Sequence, residues 1–283
     1  MTSEPPAVSV LIPAHNEASG IGRLLQALAP DSSGALDVVV VCNGCTDDTA
    51  AVAGEFLGVR VVELSEASKQ AALAEGDRQA RCAVRAYVDA DVTIDQQDLL
   101  GLVRAVADEG VLAAAPSRVL DRREVPLLVS WYYDVWERLP QVGAGLFGRG
   151  VVVVSAEGYH RLRSVPPVLS DDLAMSEVFA PHERRVVEGS QVSIRLPRTM
   201  RDLVRRRIRV ATGVVEVDRL ELRNAASRTS PRVLLGMLPS SPAMPAKLAV
   251  FAAVTLVARW QARKRVKAGD FHTWLRDQSS RAG

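Results

Sequence analysis

Lysine is scarce in this chain. Of 35 basic residues only four are lysine and the other 31 are arginine, and 33 Asp and Glu bring the formal net charge to +2. That balance excludes the broad basic footprint of a nucleic-acid binder, so no nucleic-acid partner is expected. Cysteine is scarcer still, and Cys42, Cys45 and Cys82 are an odd number. The opening Met-Thr-Ser-Glu-Pro-Pro-Ala lacks the basic and then apolar pattern of a secretory signal. A cytoplasmic chain without a disulfide framework is therefore expected. Cys42-Asn-Gly-Cys45 has the spacing of a redox or zinc knuckle, but no second pair or nearby histidine completes four ligands, which favours incidental thiols. No Gly-x-x-x-x-Gly-Lys-Ser/Thr occurs, and the Gly-x-Gly-x-x-Gly at 143–148 precedes an apolar run instead of following one. A P-loop and a dinucleotide-binding fold are disfavoured accordingly.

Long apolar runs are missing too. Residues 248–258 carry no charge, but eleven residues make a helix of about 16 Å against hydrocarbon about 30 Å thick. Arg259, Arg263, Lys264, Arg265 and Lys267 close that run. It reads either as a buried helix or as a monotopic anchor in peripheral contact with the cytoplasmic face of a membrane.

What is present is an alternation. With 283 residues the chain can form one large α/β domain or two small ones. Apolar strands are expected at 8–12, 37–41, 59–64 and 111–115, and helices at about 18–29, from a Thr46 cap through Phe56, at 67–81 and at 98–108. Near-continuous apolar strands alternating with helices predict an α/β fold: a mainly parallel central sheet with helices on both faces. Ligands of such sheets sit beyond the strands' C-terminal ends. Polar loops fall at those ends, at 13–17, 42–48 and 89–91.

The third of these loops carries most of the chemistry. Residues 84–94 read Val-Arg-Ala-Tyr-Val-Asp-Ala-Asp-Val-Thr-Ile, an apolar strand delivering Asp89 and Asp91 two residues apart, hence to one face. Paired carboxylates suit Mg²⁺ or Mn²⁺, which keep waters and bind substrate phosphates; an ordinary solvated turn is the plainer alternative. Further along, residues 125–139 hold Trp131, Tyr132, Tyr133 and Trp136, as a core helix or as a stacking platform for a sugar or lipid acceptor. Gly143, Gly145, Gly148 and Gly150 permit close backbone approach or simply turns. Ser170 is positioned to cap a helix whose first turn holds Asp171 and Asp172; a carboxylate at a cleft rim is also what a general base requires. Residues 197–210 are rich in arginine, a solvated face or a set of phosphate forks.

Taken in order, these loops resemble the inverting family 2 glycosyltransferases of the GT-A fold. Val8 to Glu17 resembles the family's opening strand and nucleotide loop. Residues 38–49 resemble its second loop, with Asn43 where a base-contacting residue stands. Lys69-Gln-Ala-Ala-Leu-Ala-Glu-Gly76 is similar to its Lys-x-x-Ala-Leu-Asn-x-Gly helix, and Asp89-Ala90-Asp91 to its Asp-x-Asp motif. Asp171-Asp172 resembles its Glu-Asp pair, and Arg206 to Val210 its Gln/Arg-x-x-Arg-Trp motif. The resemblance implies a nucleoside-diphosphate-sugar donor held by Pro13, Ala14, Glu17, Asn43, Lys69, Asp89, Ala90, Asp91, Arg206 and Arg209. It implies Mg²⁺ or Mn²⁺ on Asp91 with Asp89, Asp172 as catalytic base, and a hydroxyl acceptor on a glycan, a lipid-linked molecule or a small molecule. Cell-envelope or polysaccharide biosynthesis is the implied setting. It also implies a donor half at 1–115, an acceptor half at 116–215 of the same domain, and a helical extension at 216–283. Cys42, Asp171 and Val210 depart from the family pattern. A catalytically inactive donor-binding scaffold of a membrane glycan assembly is the rival reading, and a sugar nucleotidyltransferase a weaker one, since that class wants a glycine-rich basic loop after the first strand.

Overall fold

A computed structural model describes residues 7–29, 34–164, 171–219 and 229–268, with the side chains of residues 171, 172 and 216 outside that description. The first half alternates as the apolar runs predict. Strands β1 (Val8–Ala14), β2 (Leu36–Asn43), β3 (Val59–Leu64) and β4 (Arg85–Val88) are parallel, in the spatial order β3-β2-β1-β4. Helices α1 (Ala18–Leu28), α2 (Thr49–Gly54) and α3 (Lys69–Gln79) make the crossovers. Val8, Val10, Ile12 and Ala14 of β1 join one core cluster while Leu11 joins the opposite one. In the same way β2 divides Val38, Val40 and Cys42 from Val39 and Val41. The two-residue strand period makes this division, and cover on both faces is why neither strand alternates with polar residues.

The second half folds back on the first. It comprises β5 (Val92–Thr93), α4 (Gln96–Ala105), β6 (Ala113–Asp121), α5 (Leu127–Trp136), α6 (Pro140–Ala144), β7 (Val151–Val154), α7 (Ala156–Leu162), α8 (Asp171–Val178) and β8 (Arg184–Arg195). These strands extend the sheet to eight, β3-β2-β1-β4-β7-β6-β8-β5. Parallel neighbours outnumber antiparallel ones by four pairs to three. The expected border at residue 115 lies inside β6, beside a register shift at Pro116/Ser117.

Several local expectations are corrected. The strand leading to Asp89 gives way to a loop there as expected, but a second strand follows it. β4 stops at Val88, a turn holds Ala90 and Asp91, and Val92 begins a strand that pairs with β8 at the far edge. The strand expected at 111–115 is the longer β6, because β8 supplies a partner along its whole length. Thr46 does not cap α2, which begins at Thr49; Asp47 accepts from the Thr49 amide at 3.1 Å instead. The helix expected from residue 98 begins two residues earlier, where Asp95 caps it by accepting from Asp98 N at 2.8 Å. Ser170 lies outside the described residues.

The remaining helices, α9 (Met200–Arg219), α10 (Pro231–Gly236), a 3-10 turn (Leu238–Ser240) and α11 (Met244–Lys267), form a layer with α5. Three of the four aromatics of α5, Tyr132, Tyr133 and Trp136, are buried in the core, while Trp131 is half-buried. Tyr132 is fully buried and stacks on Phe251 at 5.0 Å between centroids, and Tyr133 lies edge-on to Tyr132 and Trp136. The charge-free run at 248–258 belongs to a helix of 24 residues, whose Met244, Phe251, Val254, Ala258, Ala262 and Val266 are buried. Among the described residues, no helix is long and apolar enough to cross a membrane.

Candidate active site

Two loops at the C-terminal ends of β1 and β2 are sewn together. Asn16 takes a left-handed conformation, φ 52°, which asparagine tolerates better than most side chains. Its carboxamide oxygen then accepts from Thr46 N at 2.7 Å. Glu17 N donates to Thr49 Oγ1 at 2.8 Å, Ala18 N to Asp47 Oδ2 at 3.1 Å, and His15 Nδ1 bonds the Asn43 carbonyl. Asn43 is buried and donates its amide to Ala14 O at 2.8 Å. Gly44, at φ 58°, makes the turn, and a Cβ there would stand 2.7 Å from Ala67 N. The cysteines serve this packing: Cys45 Sγ accepts from Asn16 N at 3.4 Å, and burial pushes the Cys42 thiol up to about 12. A thiol so held is neutral and inert at ordinary pH.

The Asp89 turn meets these loops from the side. Asp89 stands one residue past β4, its amide donating to Gly150 O at 2.7 Å and its carboxylate paired with Lys69 Nζ at 2.7 Å. Lys69 is the first residue of α3, where Ser68 Oγ caps by accepting from Ala71 N at 3.2 Å. Ala90 is buried, and its carbonyl and Glu17 Oε2 both lie within 4 Å of where a Gly20 Cβ would be, so α1, the first loop and the Asp89 turn pack together. Asp91 is exposed. Pro13, Lys69, Leu73, Asp89, Gly150 and Met175 line one narrow cleft. Tyr87, on its floor, donates to Asp77 Oδ1 at 2.9 Å; burial and then the Asp77 charge raise its pKa, so it stays a neutral phenol.

Beside the cleft runs the glycine-rich loop, and its organiser is a residue that composition and motif reading passed over. Arg149 is buried and donates to four carbonyls: Gly145 at 3.0 Å, Pro116 at 2.8 Å, Val142 at 3.3 Å and Gly143 at 2.8 Å. Burial, and secondarily the nearby Arg118 charge, lowers it to about 9. It is still a cation at neutral pH, held by carbonyl dipoles. The only sequence signal was an arginine between two glycines. Gly148 and Gly150 both have φ above 60°, and a Gly150 Cβ would lie 2.5 Å from Val92 Cγ1.

The remaining sequence-predicted residues lie on α8 and α9. The backbone of Asp171 and Asp172 opens α8, and their side chains lie outside the described residues. Met175, three residues after Asp172, lines the cleft. Leu173 and Ala174 pack against Val217 and Val214 of α9, which also carries Arg206 and Arg209, both half-buried. Arg207 stands over the Tyr132 ring at 5.6 Å.

Residues 9–141 match the family model described as Glycosyl transferase family 2. This segment, a little under half of the chain, is similar to glycosyl transferase family 2. A 4,4'-diaponeurosporenoate glycosyltransferase of Staphylococcus aureus (strain MRSA252) is 32% identical over 126 residues, covering 41% of this chain. The chain spans about a third of that relative's length, 33%. Among solved structures, the mannosyltransferase PcManGT from Pyrobaculum calidifontis, in complex with GDP-Man and Mn²⁺, superposes with a TM-score of 0.62. Its identity is 23%, covering 94% of this chain and 80% of that one. Glucosyl-3-phosphoglycerate synthase from Mycobacterium tuberculosis, in complex with Mn²⁺, UDP and glucosyl-3-phosphoglycerate, gives 0.54 at 20% identity, covering 77% and 81%. The fold is the GT-A fold.

The family 2 match takes in the first two loops, Lys69 and the Asp89 turn, and ends before Gly150, Asp172, Arg206 and Arg209. Among the described residues, no group of three or more His, Cys, Asp or Glu gathers to hold a metal ion. Asp89 lines the cleft, whereas Asp91, two residues on, is exposed and is not among the cleft-lining residues. Two hard ligands fit a Mg²⁺ or Mn²⁺ that completes its shell with water and phosphate, and do not fit a zinc or calcium cage.

Proposed function

We propose that the chain is a metal-dependent, inverting glycosyltransferase that moves a sugar from a nucleoside-diphosphate donor to a hydroxyl acceptor. The observation that carries the reading is the convergence of Pro13, Lys69, Asp89 and Gly150 on one cleft at the C-terminal end of β4. Ligands of open α/β sheets bind at such ends. Both superposed enzymes were solved with Mn²⁺ and a nucleotide or nucleotide sugar.

In this reading Pro13, Ala14, Glu17 and Asn43 form the nucleoside end, and the sewn loops fix their backbone before the donor arrives. Lys69 and Asp89 hold each other at 2.7 Å, so the Lys69 ammonium is already in place beside the ribose and diphosphate. Asp91, with Asp89, would hold Mg²⁺ or Mn²⁺, which when bound supplies Lewis-acid stabilisation of the departing diphosphate. Asp172 takes the proton of the acceptor hydroxyl as that oxygen attacks the anomeric carbon from the face opposite the diphosphate, so a single displacement inverts the configuration. Arg206 and Arg209 present guanidinium forks to phosphate oxygens. The turn at Ala90 and the left-handed Gly150 keep bulky side chains out of the cleft.

Calorimetric titration with UDP-, GDP- and dTDP-linked sugars, with and without Mn²⁺, tests the donor site. One donor is expected to bind in a Mn²⁺-dependent manner, and Asp91→Ala to weaken that binding about tenfold or more. Absence of binding by the folded wild type to every donor overturns the reading. Asp172→Asn is expected to lower kcat by about 10²- to 10⁴-fold while donor affinity holds. Near-normal turnover would remove Asp172 from the role of base.

A further inference from the structure

Exposed large apolar side chains are unevenly spread over the described residues. Leu57 and Val119 stand apart, and the other seven lie on α5, α10, the 3-10 turn and α11. On α11 they face away from the core. Phe251, Val254, Ala258 and Ala262, spaced by three and four, are buried against α5 and α9. Ala249, Ala252, Ala253, Leu256, Val257 and Trp260 are exposed along another face. Residues 248–258 of α11 thus carry no charge on either face, as in helices enclosed by a core or by lipid. One side has its core; the other lies open.

The charge that follows says what covers it. Arg263, Lys264 and Lys267 continue the same exposed stripe at helical spacing, and Lys264 Nζ stands 3.6 Å from the centre of the Trp260 ring. Acidic residues are absent between Glu221 and Asp270, a stretch that holds nine lysines and arginines. Tryptophan at the border between an apolar stripe and a cationic one suits the headgroup level of a bilayer, and lysines there reach outward along their stems. α5 runs antiparallel to α11, with Asp134 on Lys247 and Tyr132 on Phe251. That arrangement carries the exposed Leu127 and Leu128 of its first turn toward the Trp260 end.

We propose that this face of α11, with the first turn of α5, docks the protein flat on a bilayer of anionic headgroups. The stripe enters the acyl boundary while the cationic turns meet phosphate. A second copy of the chain would bring no carboxylate to this face from the same helix. The surface is independent of the proposed transfer chemistry.

Flotation of the full chain with phosphatidylcholine vesicles, and with vesicles rich in phosphatidylglycerol, tests the proposal. Binding is expected to the anionic vesicles and to fall with salt. The triple variant Leu256→Gln, Val257→Gln, Trp260→Gln is expected to lose about tenfold in bound fraction, with unchanged far-UV circular dichroism. Arg263→Gln, Lys264→Gln, Lys267→Gln is expected to remove the preference for anionic lipid. Wild type that floats with no vesicle, or an apolar triple variant that floats equally well, overturns the proposal. So does a wild-type dimer in sedimentation velocity that the apolar substitutions convert to monomer, which would make the face a contact between copies.

Discussion

Asp37 illustrates how a single buried carboxylate ties the sheet's base. It accepts from Ser9 Oγ at 2.7 Å, Arg60 at 2.7 Å and Arg81 N at 3.0 Å, joining β1, β2, β3 and the turn after α3. Burial works to raise its pKa, but these donors outweigh it and the folded value lies below the usual carboxylate value. Because the folded pKa is depressed, the stabilisation is present above the unfolded pKa of about 3.9 and is lost as pH falls through the folded value. Asp37→Asn is expected to cost about 1–3 kcal/mol near pH 7. Urea unfolding at pH 7 and pH 3 checks it: the difference from wild type should shrink at the lower pH.

At the scale of elements, the proposed donor cleft depends on two strands that end in turns. β4 stops at Val88, and the chain reverses so that Asp89 bonds Gly150 while Val92 leaves for the opposite sheet edge. Gly150→Ala tests this junction. Its φ of 67° disfavours a side chain, and the added Cβ would press on Val92 Cγ1. A loss of about 1–3 kcal/mol is expected from backbone strain and overpacking, together with weaker donor binding as the Asp89 turn shifts. Calorimetric donor titration beside thermal unfolding separates the two effects. Unchanged affinity would show that Gly150 acts on stability alone.

For the whole molecule, α5, α9 and α11 form one helical layer, and through α9 it reaches α8, whose Met175 lines the cleft. Phe251→Ala leaves a cavity against Tyr132 at the centre of that layer. It is expected to cost about 3–5 kcal/mol, measured by urea unfolding; because Arg207 of α9 stands over the same Tyr132 ring, donor titration of the variant reads whether the repacking reaches Arg206 and Arg209.

The first half of this architecture was legible because its signals are local. Apolar runs, helix stripes and the loops at 13–17, 42–48 and 89–91 are short segments read without knowing their partners; the order β3-β2-β1-β4, which sets β4 beside β1 and away from β3, is not contained in them. The pairing of Val92 with β8, the long β6–β8 pairing and the four carbonyls around Arg149 were not legible, because each depends on a partner remote in sequence. The aromatic helix and the C-terminal helix each offered two readings, core or surface, and only packing chose between them. Tyr132 found Phe251 more than a hundred positions away, while Trp260, nine residues further on, was left facing out. The sequence by itself determined the strands, the crossovers and the order of the polar loops, since side-chain period and turn chemistry act over a few residues. The tertiary structure alone decided which of those loops share a cleft and which face of α11 remains open, since both are set by long-range contacts.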